Sequence, residues 1–124
     1  MLSDQQAALY RRLTMGDAAL FAALLSSPRG GSAQSASDLD PRCAALVRVA
    51  ALIAAGATEP AYLREVQEAL ALGATPEEVT AVLAAVAPIT GSAHIMDAAP
   101  KLALALGYDV AAGLEDTDAR EHGG

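Results

Sequence analysis

Cys43 is the only cysteine in the chain, there is no tryptophan, and a single phenylalanine is present. One thiol excludes an intrachain disulfide and a two-thiol redox cycle, and it fits a reducing compartment. Aromatic residues make up 3% of the sequence, and 8 Lys plus Arg stand against 15 Asp plus Glu, a formal net charge of −7. Nucleic-acid binding needs cationic phosphate contacts and usually stacking rings, so this balance argues against it. The one basic cluster, Arg11 with Arg12, reads as a solvated helix face. MLSDQQAALYRRL carries no basic segment followed by an apolar stretch of the kind that marks a secretory leader. The long apolar run from Cys43 to Ala57 is interrupted by Arg48 and falls short of the roughly 20 residues a membrane span needs. A cytoplasmic protein with neither membrane nor nucleic-acid partners is expected.

What the chain does have is apolar surface in excess. Hydrophobic residues are 53% of the 124 and the mean hydropathy is +0.31, much of it from alanine, whose small side chain lets helices pack closely. A chain of this length can bury a genuine core without a disulfide or metal staple. Helix faces this apolar outrun what a small body can hide, which predicts a homo-oligomer with Ala18 to Leu25 and the last helix in its contacts.

Helix start and stop signals recur along the chain, with no strand signal between them. Ser3-x-x-Gln6 has capping-box spacing and predicts a first helix from Asp4 that Gly16 breaks. Asp17 caps a short apolar second helix, Ala18 to Leu25, and SSPRGGSAQSASD reads as a loop. Asp40-Pro41 starts a central helix running to Gly56, and Thr58 with Pro60 starts the next. In that helix Tyr62, Leu63, Val66, Ala69 and Leu70 form one stripe before Gly73, with Glu65 on its flank. Thr75-Pro76-x-Glu78 is a second capping box, with Val79, Val82, Leu83 and Val86 facing inward; Pro88 ends or kinks that helix. Gly91-Ser92 opens the last helix, through Leu106, with a kink or break expected near Met96 to Ala99 from Pro100. The acidic stretch from Asp109 is expected to fray. The predicted organisation is an all-α helical arm and loop over 1–38, a helical core over 39–108 and a disordered tail over 109–124.

Three segments carry a resemblance when taken together in order: Leu39-Asp40-Pro41, the Gly73-Ala74-Thr75-x-Glu77-Glu78-Val79 turn, and Ala87-Pro88-Ile89-x-Gly91. Over Leu39 to Gly107 the chain resembles the carboxymuconolactone decarboxylase and AhpD-like family. The resemblance implies an AhpD-like bundle of about six helices built around a helical hairpin, assembling as a dimer, trimer or hexamer with its active site near subunit contacts. Peroxidase-type members carry Cys-x-x-Cys-x-x-x-His at the start of the helix after Gly56. Counted back from Gly73, those three positions hold Thr58, Ala61 and Glu65; counted forward from Gly56, the match shifts by one residue. On either count the thiols are missing, and a Cys-dependent peroxidase cycle is not expected. Decarboxylase-type members keep the helix histidine and add a second in Gly-x-Pro-x-x-x-His-Ala, where this chain has Asp97, with His94 one helical turn earlier.

The candidate site follows from these positions. Glu65 is placed for general acid–base work, or reads as a rim charge paired with an arginine. His94 and Asp97, at i and i+3, share a helix face, so the carboxylate can orient the imidazole for proton transfer, or the two form a surface pair. Arg48, inside an otherwise apolar helix, needs an acidic partner or an anionic ligand, and is the candidate anchor for a substrate carboxylate. The expected function is a decarboxylase or isomerase acting on a small anionic metabolite, the alternative a non-catalytic ligand-binding or assembly subunit of the same fold. Glu65, His94 and Asp97 would supply only three ligands from different helices, so no metal is expected, and without a Gly-rich phosphate loop after a strand no nucleotide cofactor is either.

Overall fold

The computed structural model describes residues 1–26 and 39–122, and every described element is α-helical. The chain divides into two compact units, Met1–Asp38 and Leu39–Gly124. The first holds α1 (Asp4–Thr14) and α2 (Ala18–Leu25). Both start as the sequence indicates: Ser3 and Gln6 close a reciprocal capping box, and the Asp17 carboxylate accepts from the Leu20 N–H at 3.1 Å. The loop expected over SSPRGGSAQSASD lies, from Ser27 on, outside the described residues.

The second unit holds α3 (Pro41–Ala55), α4 (Glu59–Ala71), α5 (Pro76–Thr90), α6 (Ser92–Ala105) and α7 (Val110–His122). Proline in the first turn of α3, α4 and α5 supplies a preset φ where no helical N–H is needed. Gly56, at φ 68°, takes the left-handed turn that ends α3 and lets the chain reverse into α4. α3 packs against α4, α5 and α6, and α6 also packs against α4 and α5, so these four helices enclose one core. Its residues fall at helical spacing: Ala45, Val49 and Ile53 on α3; Tyr62, Val66 and Ala69 on α4; Val79 on α5; Ala98 and Leu102 on α6.

Two features of the second unit, α7 and the buried face of α4, differ from the sequence expectation. At the prolines, where an end, a break or a kink is expected, α5 continues two residues past Pro88 and α6 runs without a break through Pro100. The carbonyls that these prolines leave without a helical donor belong to Ala84 and Met96, both on exposed positions where water can reach them. Residues 110–122, expected to fray, form a seventh helix with local support, Asp116 to Arg120 and Asp118 to His122 standing at i and i+4. On α4 the buried arc includes Glu65 and leaves Leu63 45% exposed. With Tyr62, Val66 and Ala69 at its centre, Glu65 lies about 65° from the axis of that arc and Leu63 about 95°. A carboxylate can hold the inner position because a cation meets it there.

Candidate functional site

That cation is Arg48. From the end of the second turn of α3 its Nε donates to Glu65 Oε2 at 3.2 Å, joining the two helices across the core edge. The Glu65 side chain is 3% exposed and that of Arg48 35%, so the pair meets solvent almost wholly through the arginine. Dehydrating a carboxylate is costly unless an opposite charge and hydrogen bonds replace the lost water, and Arg48 meets that need. The guanidinium commits only its Nε among the described residues; Nη1 and Nη2 make no described hydrogen bond.

A second group gathers where α6 passes the α3–α4 turn. His94 and Asp97, with Gly56 and Ala93, line a shallow cleft of about 200 Å³. Asp97 accepts from Lys101 Nζ through both carboxylate oxygens, at 3.2 and 3.1 Å, and the same ammonium donates to the Ala57 carbonyl at 3.2 Å. Lys101 therefore ties α6 to the start of α4. Beneath this group lies Tyr62, fully buried, with a hydroxyl that finds no hydrogen-bond partner among the described residues. Burial pushes the Tyr62 phenol pKa up, and the nearby Asp97 carboxylate pushes it further.

The structure thus brings the four candidate residues together as two pairs. Arg48 and Glu65 meet; His94 and Asp97 share a cleft, in whose described lining neither Arg48 nor Glu65 appears. No described hydrogen bond joins Asp97 to His94. Lys101 and Tyr62 were not among the candidates. An Asp–Lys spacing of four on one helix could have flagged Lys101, whereas Tyr62 read simply as one more member of the apolar stripe.

An all-α body with α3 packed on α4, and with ionisable residues on α4 and α6 beside the turn between α3 and α4, defines a small helical protein of AhpD-like fold. The carboxymuconolactone decarboxylase family model matches residues 18–104, and the chain belongs to that family. No curated protein and no solved structure matches it.

Proposed function

We propose that this carboxymuconolactone decarboxylase family protein binds a small anionic metabolite without turning it over, with Arg48 as the anchor for the ligand's carboxylate. The observation that carries this reading is the Arg48–Glu65 pair. Its carboxylate is shut away from solvent, while the guanidinium is partly exposed and keeps its terminal N–H groups uncommitted among the described residues. A proton-transfer group must reach the atom it serves, and Glu65 is enclosed. The cleft of His94 and Asp97 is open, with Asp97 engaged by Lys101.

A decarboxylase or isomerase is the second reading. It is favoured by His94 and Asp97 lining one cleft beside the α3–α4 turn, on the helix where decarboxylase-type members carry a histidine. On that reading Arg48 would anchor the carboxylate, Glu65 and His94 would move protons and Asp97 would orient the imidazole, which requires a ligand that reaches both pairs, since Arg48 and Glu65 are not in the described lining of the cleft. Neither reading uses Cys43. For both we infer a cytoplasmic homo-oligomer, a dimer, trimer or hexamer, which the exposure of Val47, Leu63 and Leu104 on the core helices supports.

A thermal-shift screen of small carboxylates and lactones, followed by product analysis of each hit, separates the two. Binding without catalysis predicts a raised midpoint that Arg48→Met abolishes, and no product. Product formation that falls by about 10²–10⁴ in His94→Gln would replace it with the enzyme reading.

A further inference from the structure

Arginine is a good receptor for a carboxylate only when its plane is fixed, because its long side chain otherwise samples many rotamers and presents its donors in no settled direction. In this protein the Nε donates to an enclosed acceptor, Glu65 Oε2, at 3.2 Å. Glu65 itself has little solvent to turn to, its side chain being 3% exposed, so the bond constrains both partners. The edge of the guanidinium bearing Nη1 and Nη2 carries two parallel N–H donors, a spacing that matches the two oxygens of a carboxylate.

We propose that Glu65 is a positioning residue for Arg48: by accepting the Nε–H it fixes the guanidinium plane and leaves the Nη edge as a preformed two-pronged receptor for a small planar monocarboxylate. This rests on the reading of Arg48 as the anchor. Glu65 also offsets part of the arginine's charge, in a chain whose formal net charge is −7. The receptor therefore selects by shape more than by field, and it favours a planar monoanion over a tetrahedral, more highly charged anion such as inorganic phosphate.

Two substitutions at one position separate orientation from charge, with benzoate and inorganic phosphate as probes in isothermal titration. Glu65→Gln removes the charge and keeps an oxygen that can accept the Nε–H; Glu65→Leu removes both. The expected results are tighter binding of benzoate than of phosphate by the unaltered protein, benzoate binding in Glu65→Gln at least as tight as in that protein, and binding about tenfold weaker in Glu65→Leu than in Glu65→Gln, two variants of equal charge. Arg48→Lys, which keeps the charge and loses the fork, should also weaken benzoate about tenfold. Equal affinities in the Gln and Leu variants, or phosphate bound as tightly as benzoate, would overturn the positioning role and leave Arg48 standing as an anchor. Benzoate binding that survives Arg48→Met unchanged would remove the anchor itself. Should circular dichroism show Glu65→Leu unfolded, the benzoate-to-phosphate ratio of the unaltered protein and of Arg48→Lys decides the matter.

Discussion

α4 and α7 are each 13 residues long, and they are helical for different reasons. α4 buries Tyr62, Glu65, Val66 and Ala69; α7 buries none of its residues. What α7 has is local. Arg120 and Asp116 approach to 2.9 Å, His122 and Asp118 to 3.1 Å, and Thr117 Oγ1 donates to the Gly113 carbonyl at 2.9 Å. An exposed pair such as Arg120 with Asp116 contributes about 0.3–0.5 kcal/mol, and a helix this short is marginal on propensity alone. The contrast separates a helix made by its place in the shared core from one that buries none of its residues and rests mainly on its own sequence, and Glu65, the partner of the candidate anchor, lies on the first.

The largest effect should come from the centre of α4. Tyr62→Ala removes a fully buried ring from the shared core and should cost about 3–5 kcal/mol in chemical denaturation. Tyr62→Phe, which deletes only a buried hydroxyl that has no partner among the described residues, should be neutral or stabilising. A clear loss in the Phe variant would show that the hydroxyl has an acceptor, such as an enclosed water. Next comes Arg48→Met, which takes the Arg48 guanidinium away from the enclosed Glu65. A loss of about 2–3 kcal/mol is expected, below the range for fully dry pairs because Arg48 is partly solvated. A loss under about 0.5 kcal/mol would mean that Glu65 draws its support from elsewhere.

A smaller effect, dependent on pH, is expected at the start of α5. The Thr75 N–H donated to Glu78, and then the Arg42 guanidinium beside it, hold the Glu78 carboxyl below its ordinary value of 4.5. A group depressed in the folded state adds stability above its unfolded pKa and loses it as the pH falls through the folded one. The melting temperature of Glu78→Gln should therefore lie below that of the unaltered protein at neutral pH, and the two should converge in acid. A constant gap at every pH would assign the difference to packing. Least of all should Arg120→Ala matter. In α7 it should change global stability by under about 0.5 kcal/mol while raising hydrogen exchange locally, and a larger global loss would break the contrast with α4.

Much of the helical layout was written in short-range chemistry. Ser3 with Gln6 and Thr75 with Glu78 form the capping boxes their spacing implies, and Gly56 and Gly73 stand where α3 and α4 end. Such signals are legible because each involves residues three or four apart. The less legible parts depend on what lies across space. α5 and α6 run on through Pro88 and Pro100, whose unmet carbonyls belong to the exposed residues Ala84 and Met96, and α7 rests on several weak local pairs in a stretch without an apolar stripe. At the candidate site, the need for a partner at Arg48 could be read from its apolar helix, but the identity of that partner, 17 positions away on α4, could not. The inward position of Glu65 and the outward one of Leu63 followed from the same contact.

With tryptophan absent and three tyrosines present, the optical signal of this molecule is divided by burial. Tyr10 and Tyr108 are 59% and 58% exposed, whereas Tyr62 is wholly enclosed. A soluble quencher should extinguish the emission of the first two at once and that of Tyr62 only when the helices around it part. The residual fluorescence under saturating acrylamide then counts closed molecules directly, and its decay with time after mixing measures how often the core opens, with no dye or engineered label attached.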